Sequence, residues 1–190
     1  PAPTRRPAGK PMGLATAQPA VQSDTVARAW AALAPLTDPE IPVVTLRELG
    51  ILRDVRQGAQ GLEVVITRTY NGCPAMQQIE DDVRAALSAQ GLEGKVITQL
   101  APAWTTDWMS PAAHDKLRAY GIAPPHACDT PAADAGNVVR FTRRLAPASV
   151  ACPQCGSANT TETSHFGSTA CKALYRCLDC LEPFDYFKPH

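Results

Sequence analysis

The chain is 190 residues long, with 18 Lys+Arg against 18 Asp+Glu and no formal net charge. That balance gives no net field toward nucleic acid or an anionic surface, and no apolar run is long enough to span a bilayer, so neither nucleic acid nor membrane is an expected partner. The length holds one medium domain plus a small second one, and seven cysteines, four of them in metal-ligand spacing, predict a reducing, cytoplasmic setting.

Residues 1–22 are rich in Ala, Pro, Gly and Gln, with Arg5, Arg6 and Lys10 as their charges. Such a stretch buries too little apolar surface to offset its chain entropy and is expected to be a disordered tail. It lacks the uninterrupted apolar core of a signal peptide. Order is expected from Ser23-Asp24, an N-cap for a helix with Val26, Ala29, Trp30 and Leu33 at helical spacing, ended by Pro35 and Pro39. The loop Asp38-Pro39-Glu40-Ile41-Pro42 leads to a strand over 51–56. Gly58 and Gly61 bracket a turn, and the alternation over 62–69 predicts the second strand of a hairpin.

After Tyr70-Asn71-Gly72-Cys73-Pro74 a helix is predicted over 75–90. Met76, Ile79, Val83, Ala86 and Leu87 line one face, and Glu80, Asp81 and Arg84 look outward. A third strand follows over 96–100. Ser110 then caps a short helix to Tyr120, with Pro111 in its first turn. The expected fold of residues 23–122 is α+β, a small mixed sheet covered by helices. Trp104 and Trp108 flank a loop for which packing is the ordinary role. Over 123–148 the Pro and Ala content rises again, which predicts an interdomain linker holding a short strand at 138–142 and a surface thiol at Cys128.

Residues 149–190 carry the most specific signal. Cys152, Cys155, Cys177 and Cys180 form two Cys-x-x-Cys pairs, and two such turns supply the four soft ligands of a tetrahedral metal site. Gly156 follows the second ligand, where a left-handed backbone is useful. Zinc is the expected ion, with an iron–sulfur cluster as the alternative that an all-thiolate set also suits. Tyr175, Phe184, Tyr186 and Phe187 are expected to pack around this ribbon. Cys171, shortly before Cys177, is an additional thiol with three readings: a replacement ligand, a partner in metal hand-off, or a packed core residue.

A second candidate is Cys73, between the second strand and the following helix. Unsatisfied backbone N–H groups and the helix dipole favour a thiolate there, although a buried free cysteine behaving as a small hydrophobe fits the position too. Asp38 and Glu40 come near if their loop folds over the helix end; otherwise they are ordinary caps.

The order Asp38-Pro39-Glu40-Ile41-Pro42, Leu49-Gly50-Ile51 and Thr67-Arg68-Thr69-Tyr70-Asn71-Gly72-Cys73-Pro74 resembles the metal–sulfur cluster assembly domain family over residues 25–122. That resemblance implies a role in iron–sulfur protein maturation with Cys73 as its functional cysteine. Longer motifs are similar to the small accessory subunit of bacterial phenylacetyl-coenzyme A epoxidase. They are Ala101-Pro102-Ala103-Trp104-Thr105-Thr106-Asp107-Trp108-Met109-Ser110, Tyr120-Gly121-Ile122-Ala123-Pro124-Pro125, the run from Phe166 to Cys177, and Glu182-Pro183-Phe184-Asp185-Tyr186-Phe187-Lys188. This resemblance implies oxygenase and reductase subunits as partners, aerobic phenylacetate degradation as the setting, and help in assembling or maintaining a metal centre as the task.

The leading expectation is therefore an accessory maturation factor. Cys73, Asp38 and Glu40 would handle transient iron or an iron–sulfur cluster, and a structural zinc ribbon would dock on a client. The alternative is a thiol-dependent enzyme or catalytic epoxidase component using Cys73. His114, His126, His165 and His190 are scattered and supply no convincing base, which weakens it. A nucleic-acid role for the ribbon lacks a basic stripe. Self-association into a homo-oligomer is left open.

Overall fold

The computed structural model describes residues 19–70, 72–126 and 149–190. The expected tail over 1–18, most of the expected linker (127–148), the strand over 138–142 and Cys128 lie outside the described residues. Helix α1 (Pro19–Leu33) starts at Pro19 rather than at Ser23. Proline is tolerated in a first turn, where its missing N–H has no intrahelical bond to lose, so residues 19–22 belong to the helix and not to the tail. Ala29 and Leu33 of α1 are buried one turn apart, with Val26 and Trp30 packed beside them.

The hairpin forms as expected. Strands β1 (Leu52–Gly58) and β2 (Gly61–Thr67) pair antiparallel, closing on Gly58 opposite Gly61. Helix α2 (Ala75–Ala89) follows and buries Ala75, Met76, Ile79, Val83 and Leu87. Its outward face carries Arg84 paired with Glu80 and Asp81, each at 2.9 Å. Strand β3 (Gly94–Gln99) then pairs parallel with β2, a pairing that requires the crossover α2 supplies. The sheet order is β1-β2-β3. As the central strand, β2 buries Leu62, Val64, Val65, Ile66 and Thr67. Helix α3 (Pro111–Tyr120) has the expected cap, with the Ser110 hydroxyl accepting from the Ala113 N–H at 3.2 Å.

The segment between α1 and β1 is a loop only in name. Ile41, Val44, Leu46, Leu49 and Ile51 are each at most 2% exposed, burial worth roughly 1.5–3 kcal/mol per large side chain. Backbone bonds from Asp38 to Val44 and from Leu46 to Leu36 replace a regular ladder. At Gly50 the backbone φ is +72°, and a Cβ would come within 3.0 Å of the Trp108 backbone and Cβ. Glycine is therefore required there both by conformation and by space.

The C-terminal ribbon consists of β5 (Thr160–Ser164), β6 (Lys172–Cys177) and β7 (Pro183–Phe187), paired antiparallel in turn. It has a fourth strand that the expected boundary at 122/123 divided. Strand β4 (Ile122–Ala123) pairs parallel with β7, Ile122 opposite Asp185 and Ala123 opposite Tyr186. Ala123 thus belongs to the ribbon sheet and not to a linker. Ile122 joins the main core and Ala123 the ribbon core, because successive residues of a strand face opposite sides.

Strand β7 is divided in the same way. Phe184 and Tyr186 join Tyr175 in the ribbon core, as expected. Phe187 does not: it lies in the main core, edge-on to Trp104 with ring centroids 6.3 Å apart. The ribbon is packed against the α+β domain, and the two share β7.

Candidate metal centre and junction site

Two knuckles build the metal centre. In the first, the Gly156 N–H donates to the Cys152 carbonyl and the Cys152 N–H to the Ser157 carbonyl, both at 2.9 Å. Gly156 takes the left-handed φ of +76° that its position predicted. In the second, the Cys177 N–H donates to the Glu182 carbonyl at 3.0 Å, and the Cys180 N–H points at the Cys177 sulfur at 3.5 Å. Asp179 ties the knuckles together, accepting from the Ser157 hydroxyl and, at 2.8 Å, from the Asn159 amide.

The four thiols of Cys152, Cys155, Cys177 and Cys180 lie within 4.8 Å of one another. Cys152 and Cys180 Sγ are 3.8 Å apart, and Cys155 and Cys177 Sγ 3.6 Å. A tetrahedron with metal–sulfur bonds of about 2.3 Å has edges of about 3.8 Å, so these two edges already match an ion of zinc type. Titration of these thiols is uneven. The Cys180 N–H, followed by that of Asp179, lowers Cys177 to about 7. Cys180 also receives a favourable N–H, from Glu182, but desolvation and the three neighbouring thiols push it up to about 12. A bound cation removes that mutual penalty, which is the electrostatic reason for four thiols to converge.

The second site forms where the ribbon meets the α+β domain. Cys73 is half-buried just before Pro74, the N-cap of α2. Tyr70 packs with Cys73 against the main core, and its phenol is raised to about 12 by burial first and then by Cys73, Cys171 and Glu40. Asp38 is only 9% exposed. Its Oδ1 accepts the Glu40 N–H at 2.8 Å and the Ile41 N–H at 3.0 Å. Desolvation nevertheless raises Asp38, against those bonds and the Lys172 charge. Glu40 is raised by burial and by Asp38, while Lys172 and a bond to Thr169 oppose the shift. Glu40 also acts to raise the Tyr70 phenol, and both carboxylates act to raise the Cys171 thiol.

Cys171 sits at this junction. It belongs to the main core together with Phe187, whereas Cys152 and Cys177 belong to the ribbon core. Its thiol is 3.0 Å from the Thr169 hydroxyl and its carbonyl accepts the Lys188 N–H at 2.9 Å. Burial raises the thiol, and the carboxylates of Glu40 and Asp38 act on it in the same direction. Cys171 is not one of the clustered ribbon ligands.

Three further residues of the junction had no distinguishing signal in the sequence. Thr169 and Lys172 flank Cys171. Lys172 is 5% exposed and reaches Asp185 at 3.4 Å. His190 stacks on Tyr70 at 6.2 Å with an interplanar angle of 15°, and its carbonyl accepts the Thr106 N–H. The imidazole is lowered by burial, then by Lys188. Of the remaining histidines, His126 packs against Tyr186 and His165 against Phe166.

Comparison with known proteins agrees with this division. Residues 27–98 match the family described as iron-sulfur cluster assembly protein, and residues 137–188 match the PaaD zinc beta ribbon domain. The four-cysteine cluster is thus the metal-binding centre of a zinc ribbon domain. A protein of Escherichia coli (strain K12), provisionally named as one of the subunits of 1,2-phenylacetyl-CoA epoxidase, is 48% identical over 162 residues, which cover 84% of this chain and 90% of that one. Among solved structures, a domain of unknown function from Bacillus anthracis is 29% identical and covers 53% of this chain and 97% of its own, with a TM-score of 0.47. A Mycobacterium tuberculosis protein described as associated with Fe–S complex assembly and repair is 29% identical, covering 60% of this chain and 98% of its own, with a TM-score of 0.30.

Proposed function

The chain belongs to the family of that phenylacetyl-CoA epoxidase subunit, and on that footing we propose that it is an accessory maturation factor of the epoxidase. It helps to assemble or deliver iron or iron–sulfur centres to the oxygenase or reductase subunits in the cytoplasm during aerobic phenylacetate degradation. The observation that carries this reading is the surroundings of Cys73. A half-buried thiol, placed just before the N-cap of α2 and packed with Tyr70 against the main core, stands within the residues that match the cluster-assembly family.

Each group has a task in this reading. The Cys73 sulfur is the soft ligand that takes iron or a nascent cluster, the carboxylates offset its positive charge, and Tyr70 orients the sulfur. Partial exposure of Cys73 lets a client exchange ligands with the cargo. The ribbon's ion is zinc, resident and structural. When bound, it fixes both knuckles as one rigid node, and it takes no part in the transfer.

The test compares oxygenase and reductase subunits produced with and without this chain. Those produced without it are expected to be deficient in iron or acid-labile sulfide, and those matured with it to keep full turnover after it is removed. If metal-replete subunits stay inactive until the chain is added back in stoichiometric amount, it is a catalytic component and the maturation reading is wrong.

A further inference from the structure

The two knuckles of the metal centre differ at one telling position. In each, the residue after the second cysteine takes the left-handed backbone, Gly156 at φ +76° and Leu181 at φ +67°. Glycine enters that conformation freely, whereas any other side chain brings its Cβ against the following carbonyl. Among the described residues, Leu181 is the only non-glycine with a positive φ. Burial does not offset the strain. Leu181 is 58% exposed and Leu178, inside the same knuckle, 49%, and neither belongs to the main core or the ribbon core. A single exposed leucine is ordinary. A leucine both strained and exposed gains nothing from the packing of its own chain, and strain kept at such a place points to function.

The first knuckle is used internally. A Cβ at Gly121, the C-cap of α3, would lie 3.5 Å from the Gln154 amide nitrogen, so the turn between Cys152 and Cys155 rests on the end of that helix. The second knuckle carries its leucines to solvent beside a cation. Arg176 Nε donates to the Leu181 carbonyl at 3.3 Å. Leu174, also exposed, shares with Arg176 the outward face of β6, because alternate residues of a strand face the same way. Arg176 is itself exposed, and among the described residues its guanidinium has no ion pair. Leu174 and Leu178 thus stand two residues to either side of an uncompensated charge to which Leu181 is bonded.

We propose that the second knuckle is the face on which this chain docks another epoxidase subunit, through a segment of that subunit presenting apolar side chains around one carboxylate. The leucines supply the apolar contact, and Arg176 takes the carboxylate in a charge-assisted pair. The left-handed turn aims Leu181 outward and fixes it before the partner arrives, so little ordering is left to be done on binding. A nucleic acid does not fit this face, since one guanidinium among leucines offers no basic track for a phosphate backbone. The proposal rests on membership of the epoxidase-subunit family and is independent of what Cys73 does.

Purified oxygenase and reductase subunits, titrated calorimetrically against the full zinc-loaded chain, provide the test. The wild type is expected to bind one of them. Leu181→Gly should bind it roughly tenfold or more weakly, with zinc retained and the melting temperature unchanged or raised, because glycine relieves the strain. Leu178→Gln and Arg176→Gln should weaken binding as well, whereas Leu100→Gln, at an exposed leucine of the α+β domain, should bind like the wild type. Wild-type affinity in Leu181→Gly overturns the docking face, as does a melting temperature several degrees lower, which would make Leu181 a packing residue. Either result leaves standing the maturation reading, whose own test is the metal content of the subunits. If sedimentation shows the variants breaking a complex of this chain with itself, the face joins two copies and the proposal is wrong. If the wild type binds neither subunit, the proposal and the assignment of these partners fall together.

Discussion

The indole nitrogen of Trp104 donates to the carbonyl oxygen of Leu49 at 2.9 Å. This bond fastens the loop before α3 to the segment before β1, and the same indole packs against Phe187 of the ribbon. One side chain therefore joins three parts of the chain at the junction.

Trp104→Phe keeps a ring at this position and leaves the Leu49 carbonyl without its donor. An unsatisfied buried acceptor costs about 1–3 kcal/mol, and each kcal/mol lowers the melting temperature of a chain this size by roughly 2–4 °C. Thermal unfolding followed by circular dichroism should show that fall with metal content unchanged. An unaltered melting temperature would mean that water replaces the indole without cost.

Cys177→Ser removes a ligand buried in the ribbon core. Metal binding and folding of so small a segment are one event, so metal is expected to be lost and residues 149–190 to become sensitive to protease. The α+β domain should persist with a lower melting temperature, because Phe187 and Cys171 leave its core. Equal metal content with an intact ribbon would contradict a four-cysteine centre.

Cys73→Ser, at a half-buried position packed against the main core, is expected to change stability by no more than about 1 kcal/mol, since serine keeps nearly the same volume. It should fail to restore epoxidase activity in cells lacking the wild-type chain. Full complementation would remove Cys73 from the function, and a fall of several kcal/mol would make it a packing residue.

Asp38 supplies a pH test. Its folded pKa is raised by desolvation, so the folded state holds the proton more tightly than the unfolded chain, whose carboxyl titrates near about 3.9. The stability contributed by protonated Asp38 is full below that value and is lost as pH rises through the folded pKa. Asp38→Asn keeps an oxygen for the Glu40 and Ile41 N–H groups and removes the charge. Denaturant unfolding over this acidic window should show a shallower decline with pH than in the wild type, and at neutral pH the variant should be at least as stable. A large loss of stability at neutral pH would show that the backbone bonds need the ionised form.

Much of the secondary structure was legible because it depends on neighbours in sequence. The apolar face of α2, the glycines closing the hairpin and the paired cysteines each state their geometry within a turn or two. The burial of 41–51 was not legible, since its core residues follow neither helical nor strand period. Nor was β4, two residues whose strand character comes entirely from pairing with β7. The separation of Cys171 from the ribbon cysteines runs against the strand alternation of β6, which would put residue 171 on the same face as 173, 175 and 177. Lys172 and Leu174 do not join the ribbon core, while Ala173, Tyr175 and Cys177 do, and the turn before Lys172 places Cys171 in the other core.

The pairing of β4 with β7 bears on how the ribbon could be inherited. A zinc ribbon that supplied all of its own strands could be exchanged between relatives by recombination anywhere in the segment before it. Here a crossover within 127–148 would part Ile122 and Ala123 from Asp185 and Tyr186, and would join a foreign Phe187 to the resident core. Chimeras made at that point should be selected against unless the recipient already matches at both strands. The two halves are therefore expected to have diverged as one lineage.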